Sequence, residues 1–405
     1  MNQAADERDA LILSAVRTPS GRFLGSLSGI PAPRLGAVVI KAAVERASIS
    51  ALEQIDEVLM GNVVSAGLGQ APARQSAIFA GLPESVGATT VNKVCGSGLK
   101  TVMLAAQSIR AGDGDLFVSG GMENMSRAPY LVDGRTGALR FGNAQLTDSL
   151  VYDGLWDPFE DWGMGNAAEF IAEEYEISRQ EMDEYAYQSH KKAIDAIKKG
   201  KFKEEIIPVE VTGRKKIIKI FEVDETPRED TSIEALSGLK PAFQADGKVT
   251  AGNAPGLNDG AAALVVASRR KTESRGLKPL ARIVGYTQAA VAPKYLFNAP
   301  AVAVPKLLAR VGWELADVDL IELNEAFAAQ VLANGKALEG SGWNWGKVNV
   351  HGGGIALGHP IGASGARVLT TLIYALRDRG LERGIVSLCL GGAEAVAMAV
   401  EIENG

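Results

Sequence analysis

Two cysteines and three histidines are the most reactive side chains in this 405-residue chain, few enough to weigh one by one. Cys95 stands in Val91-Asn-Lys-Val-Cys-Gly-Ser-Gly-Leu-Lys100. The residues before it suit a strand. After it, Leu99, Val102, Met103, Ala106 and Ile109 fall on one helical face. A cysteine at such a strand-to-helix turn sits at a helix N-terminus, where the dipole and free N–H groups favour thiolate over thiol. Gly96 and Gly98 permit the tight turn and a close ligand approach. The same context suits a buried structural cysteine, the usual fate of a free one.

His359 lies in His351-Gly-Gly-Gly-Ile-Ala-Leu-Gly-His-Pro-Ile-Gly-Ala-Ser-Gly365, a glycine-rich loop that feeds a helix starting near Ala363. Glycines this dense cost chain entropy, so the backbone needs unusual dihedrals or close ligand contact. A histidine there can take a proton from a thiol. His351, in the same loop, reads as structural, and His190, on a charged helix, as a solvated or packing residue. Cys389, in Ser387-Leu-Cys-Leu-Gly-Gly-Ala-Glu394, is either a core cysteine or a second thiol whose pKa can be tuned for acid–base work. Asn324 and Glu325 end the apolar run of Leu320-Ile-Glu-Leu-Asn-Glu-Ala-Phe327. Strand ends commonly carry catalytic polar groups, and a plain capping role fits equally.

The elements that must position these residues follow one plan used twice. Ile55–Gly61, Cys95–Leu99 and Leu116–Gly121 recur as Val318–Glu322, Gly362–Ala366 and Ile385–Gly392. Each copy runs strand, Gly-Ser-Gly-type turn, helix, then a strand ending in a glycine pair, which predicts an internal duplication of a mixed α/β unit. In this alignment Cys389 takes the place of Ser119. Between the copies, roughly 125 to 257, lies a segment of different character. It holds Arg135 to Phe141, the aromatic and acidic stretch Trp156 to Trp162, and a charged helix. Ser178 and Glu181 predict a capping box for that helix, Met182, Tyr185, Ala186, Ser189 and Ala193 its inner face, and Gly200 its end. The basic run Arg214-Lys-Lys216 reads as solvated surface, with a phosphate contact as the alternative. The segment is an insertion that could cover a site built by the two halves.

The net charge of −6 argues against a nucleic-acid surface, and no apolar run is long enough to span a membrane. The start lacks a secretory pattern, and two cysteines point to a reducing compartment rather than a disulfide framework. The histidines are scattered, so no metal site is expected.

Six ordered motifs resemble the thiolase family along nearly the whole chain: Ala15-Val-Arg-Thr-Pro19, the Cys95 turn, Gly120-Gly-Met-Glu-Asn-Met125, Gly252-Asn-Ala-Pro-Gly-Leu-Asn-Asp-Gly-Ala-Ala262, Asn324-Glu-Ala-Phe327 and Gly358-His-Pro-Ile-Gly362. The resemblance implies a duplicated, five-layer α/β/α/β/α fold with an inserted loop domain. Its units would be 1–124 with 258–278, then 125–257 as the loop domain, then 279–405. It implies that Cys95 carries the acyl group, that His359 activates Cys95, and that Cys389 moves the α-proton of a second acyl-CoA. Asn324 would hold a water completing one oxyanion site with His359, and the N–H groups of Cys95 and Gly391 would form another. Met164, Pro255, Leu296 and Phe327 would contact substrate. Coenzyme A thioesters are substrates in such enzymes and no cofactor is implied. A cytoplasmic homodimer or homotetramer is.

This chain departs from short-chain members at Gly163, where a histidine is common before Met164, and at Leu296, where a methionine is common. Pro255 replaces a serine that contacts CoA in some members, and Gly391-Gly-Ala-Glu394 is less glycine-rich than usual. Acetyl-CoA C-acetyltransferase activity is the leading expectation, with a broader-chain 3-ketoacyl-CoA thiolase of fatty-acid degradation second. A decarboxylating ketoacyl synthase is the alternative from another class. Those enzymes usually pair one cysteine with two histidines, or with a histidine and an asparagine, and the Cys389 motif favours thiolase.

Overall fold

Most strands here are apolar runs without a polar face, so they must be covered on both sides. The computed structural model describes residues 6–136, 139, 141–212 and 217–403. The basic run 214–216 thus lies outside the described residues, as do parts of 135–141. The first half supplies β1 (Ala10–Arg17), α1 (Ala32–Arg46), β2 (Glu57–Gly61), α2 (Pro72–Phe79), β3 (Gly87–Val91), α3 (Ser97–Ala111) and β4 (Leu116–Asn124). The main helices of the inserted segment are α4 (Met164–Glu174) and α5 (Arg179–Lys198), after which the chain returns as β5 (Asn258–Ser268). The second half supplies β6 (Ala281–Ala290), α6 (Ala299–Val311), β7 (Leu320–Leu323), α7 (Ala328–Leu338), α8 (Ile361–Arg379), β8 (Arg383–Leu390) and β9 (Glu394–Ile402).

The duplication is explicit in the pairing. The first half runs β1-β5-β4-β2-β3, antiparallel at the first two joints and parallel at the last two. The second runs β6-β9-β8-β7 with the same senses, and a parallel bridge from Ile321 to Val348 stands for its fifth strand. The halves join where β1 meets β6, at Leu11 opposite Arg282 and Ile12 opposite Ala281. Asp56 and Asp319 fix the equivalence of the copies. Asp56 N–H donates to Leu116 O at 2.8 Å and its Oδ2 accepts Leu116 N–H at 2.8 Å. Asp319 binds Arg383 the same way, at 2.9 and 2.8 Å. Counting from Leu116 and Arg383, Cys389 matches Met122 and not Ser119. A strand that is apolar on both faces leaves register open, and by this count the glycine pairs of the two copies are not equivalent.

Helices α1 and α2 cover the outer face of the first sheet, α3 and α8 lie between the sheets, and α6 covers the outer face of the second. These are the five layers α/β/α/β/α. In the central layer α3 and α8 touch through backbone. A Cβ on Gly98 would lie 2.8 Å from Ala366 N, and one on Gly365 2.3 Å from Leu99 N. Leu99, Val102, Met103, Ala106 and Ile109 are all buried there, as their spacing predicts.

The inserted segment leaves after β4 and returns in β5, the antiparallel neighbour of β4. The predicted capping box forms: Ser178 N–H donates to Glu181 Oε2 at 2.7 Å and Ser178 Oγ accepts Glu181 N–H at 3.2 Å. Arg17, fully buried at the end of β1, ties the segment down. It meets Glu205 at 2.6 Å and Asp224 at 2.7 Å, with Phe202 5.1 Å from its guanidinium carbon. Removing one partner of a buried pair strands the other charges. Arg17→Met is therefore expected to lose about 3–5 kcal/mol of unfolding free energy in urea. A loss of under about 1 kcal/mol, typical of an exposed pair, would contradict this account.

Candidate active site

The two halves and the inserted segment enclose a cavity of about 350 Å³. Cys95, His359, Cys389, Gly391, Met164, Pro255, Leu296 and Phe327 all line it. Asn324 stands directly behind His359, its Nδ2 3.5 Å from His359 Nε2. So nine residues placed far apart in sequence converge. The walls also include Met125, Phe243, Leu257 and Ile361, which sequence reasoning did not single out as liners. Met125 and Leu257 belong to recognised motifs, and Ile361 follows His359 by two residues, so a signal was present. Phe243 carried none. A larger cavity, about 520 Å³, opens elsewhere between α5 and Trp345, and neither thiol reaches it.

Local packing brings the thiols together. Cys95 precedes the N-cap Gly96 of α3, and Val94 before it has φ of +45°. Ser97 Oγ closes the turn by accepting Lys93 N–H at 2.8 Å and donating to Val94 O at 2.6 Å. A Cβ on Gly96 would sit 2.4 Å from Leu390 Cδ2 and 2.9 Å from Val396 Cγ2, so a glycine here lets the side chains of β8 and β9 pack directly on the turn. That contact places Cys389 and the Gly391 N–H beside Cys95.

Cys95 is half-buried and lines the cavity. Its thiol is pushed up to about 11 by burial, against the pull of hydrogen bonds from the Gly391 and Cys95 N–H groups. The expected bias toward thiolate is therefore overturned. Desolvation outweighs the helix terminus, and Cys95 rests as a thiol that needs a base. Cys389, at 1% exposure, has its thiol raised by burial and by the neighbouring Cys95.

His359 can be that base. Burial, helped by the Arg367 charge, lowers its imidazole to about 3, so it stays neutral. Its Nδ1 lies 2.6 Å from Ser364 Oγ, and that hydroxyl donates to Pro360 O at 2.8 Å. With its one proton committed there, Ser364 can only accept from His359. Nδ1 must carry the proton and Nε2 presents a lone pair. Ser364 sits in the quoted loop, and its role depends on a rotamer that no sequence pattern reveals.

Asn324 is fully buried, anchored by its N–H to Ser387 O at 3.0 Å, and its Oδ1 has no hydrogen-bond partner among the described residues. An amide oxygen left spare beside His359 can accept from a water, which keeps an O–H of its own to donate at that position. Glu325 faces away from the cavity and takes no part in its wall. His351 packs edge-on against Phe202 at 5.9 Å. His190 is buried, accepting Arg228 N–H at 3.2 Å, so it is a packing residue and not a solvated one. Among the described residues no three metal-ligating side chains cluster.

A thiol, a neutral base prepared to receive its proton and a second thiol are the groups that covalent acyl transfer on sulfur requires. Family models agree. The model described as thiolase, N-terminal domain, matches residues 10–270, and that described as thiolase, C-terminal domain, matches 277–402. The chain belongs to the thiolase family. It is 53% identical to an acetyl-CoA acetyltransferase of Cupriavidus necator, over 97% of this chain and 99% of the relative. It is 52% identical to one of Pseudomonas aeruginosa over the same shares. The crystal structure of the Bacillus anthracis acetyl-CoA acetyltransferase matches with a TM-score of 0.94 at 43% identity, covering 98% of this chain and 99% of that one. The fold is the thiolase fold.

Proposed function

We propose that this protein is an acetyl-CoA C-acetyltransferase that joins two acetyl-CoA or cleaves acetoacetyl-CoA. The observation that carries the reading is the pairing of two thiols across the Gly96–Leu390 contact, one of them beside a neutral imidazole.

As the Cys95 sulfur attacks a thioester carbonyl, its proton passes to His359 Nε2. The carbon–sulfur bond to CoA breaks, CoA leaves as a thiol with that proton, and the acetyl group stays on Cys95. Cys389 then gives its own proton to the vacated His359 Nε2 and, as a thiolate, takes an α-proton from a second acetyl-CoA. The new carbanion attacks the Cys95 thioester, a carbon–carbon bond forms, and Cys95 sulfur leaves and regains its proton from His359 Nε2. Cleavage runs these steps backwards. The N–H groups of Cys95 and Gly391 serve as donors to the acyl-cysteine oxyanion, and the Nε2–H that His359 then carries, with a water held by Asn324, as donors to the enolate oxygen. One such donor contributes roughly 3–4 kcal/mol to the barrier. Coenzyme A thioesters are the substrates and no further cofactor enters these steps.

The broader-chain reading keeps support from one position. A Cβ on Gly163 would meet nothing nearer than Asn166 Oδ1 at 3.5 Å, so its missing side chain leaves room at the cavity wall. Mass spectrometry after incubation with acetyl-CoA tests the main reading: one acetyl group should appear on Cys95. Thiolysis across a chain-length series should be fastest with acetoacetyl-CoA. No adduct, a requirement for a malonyl donor, or faster turnover of medium-chain substrates would each overturn it.

The reading extends to the whole molecule. We divide the chain into 1–124 with 258–278, the loop domain 125–257, and 279–405. No helix among the described residues is long and apolar enough to cross a membrane, and we place the protein in the cytoplasm. A homodimer or homotetramer is supported by the partly exposed edge strand β3 and by exposed apolar side chains of the inserted segment, including Tyr130, Tyr152 and Phe159.

A further inference from the structure

The glycines of the His359 loop mark places where other side chains take hold of it. Three buried polar residues, each at a different strand end, accept one main-chain N–H of the loop. Glu325, just beyond β7, accepts Ile355 N–H at 3.0 Å. Asn258, the first residue of β5, accepts His359 N–H at 2.8 Å. Glu123, near the end of β4, accepts Gly362 N–H at 2.9 Å. None is more than 1% exposed. Each also lies against a glycine with no room for a side chain. A Cβ on Gly353 would be 2.4 Å from Glu325 Cδ, one on Gly358 2.7 Å from Asn258 Cγ, and one on Gly362 2.6 Å from Glu123 Oε2.

The anchors are themselves fixed. Glu123 also accepts Asn62 Nδ2 at 2.8 Å and the N–H groups of Val63 and Val64 at 3.0 and 3.2 Å. Glu325 accepts Tyr185 and Ser189 hydroxyls from α5 at 2.9 and 2.7 Å, and Asn349 Nδ2 at 3.0 Å. Asn258 Nδ2 donates to Gly21 O at 3.0 Å. Both carboxyls meet only donors, so each is locked in one orientation. His359 sits between the outer two anchors and on the third. The close contacts that the glycine density demands are thus made with the protein's own side chains.

We propose that Glu123, Asn258 and Glu325 are positioning residues that hold the His359 imidazole where its Nε2 meets the Cys95 thiol. The proposal rests on the reading of His359 as the base for Cys95. It is tested with Glu123→Gln, which sets an amide N–H among four donors, in a double-mutant cycle with His359→Ala. Alone, Glu123→Gln should lower kcat for acetoacetyl-CoA thiolysis by about 100-fold, the effect of a misplaced catalytic group. KM should move by about twofold or less. In the His359→Ala background the same change should have no further effect, because the group it positions is gone. Glu325→Gln and Asn258→Ser run the same cycle on the other anchors, so one poorly folding variant leaves the test intact. Losses that multiply in the double variants, or that fall on KM alone, would overturn the clamp. If His359→Ala leaves acylation of Cys95 unchanged, the functional reading fails first and takes the proposal with it.

Discussion

The rate at which iodoacetamide alkylates Cys95 should be nearly independent of pH from about 5 to 9, and His359→Ala should turn that plateau into a slope of about tenfold per pH unit. The imidazole is neutral above about 3 and the thiol keeps its proton below about 11. Between those limits the pair shares one proton, and attack with transfer to Nε2 needs neither gain nor loss. Below the lower limit a protonated imidazole cannot accept, so the rate falls. Above the upper one the thiolate forms unaided. Without His359 only the spontaneous thiolate reacts, and near pH 7 it is roughly one part in 10⁴. Single-turnover acylation by acetyl-CoA at pH 7 should accordingly drop by about 10²–10⁴. A wild-type acid limb between pH 6 and 7, where an unperturbed imidazole titrates, would contradict the buried, neutral His359. A flat profile in His359→Ala would remove it from the chemistry.

The contrast between Cys95 as a sequence and Cys95 as a site shows which physics is local. The turn, the helix face behind it and the capping box at Ser178 depend on neighbours within a few residues, and each formed as expected. The pKa of the thiol does not. Its sign is decided by desolvation, which comes from β8 and from the inserted segment, both far along the chain. The same holds for Glu123. It stands in a recognised motif, yet the loop residue it holds, Gly362, lies 239 residues further along the chain. Register is the third case. Apolar runs marked the strands, but only the Asp56 and Asp319 bonds show that Cys389 corresponds to Met122. The glycine-rich loop lies between these extremes. Its composition announced close contact, and the structure supplies the partners, three buried side chains of the protein itself.

Cys389→Ala should separate the two halves of the reaction: Cys95 should still take an acetyl group, while condensation should fall by about 10²–10⁴. The first half needs Cys95, His359 and the Gly391 N–H, and the substitution touches none of them covalently. Exchange of acetyl-CoA methyl protons with heavy water, which reports proton removal alone, should be lost together with condensation. The order of events follows from the same electrostatics. Burial holds the Cys389 proton in place, and negative charge on Cys95 would hold it more tightly. In the free enzyme His359 Nε2 is claimed by the Cys95 proton, whose transfer leaves charge on Cys95; once Cys95 is a thioester it can no longer ionise, and Nε2 is free to take the Cys389 proton. The proton can therefore leave Cys389 most easily when there is an acyl group for the carbanion to attack, which keeps enolate formation from running ahead of acylation. Cys389→Ser should behave as the alanine variant does, since a hydroxyl at this buried position is far too weak an acid to supply the base. Retained condensation in either variant would assign the α-proton to another group, and loss of Cys95 acetylation would show that the two thiols act as one unit in the first step.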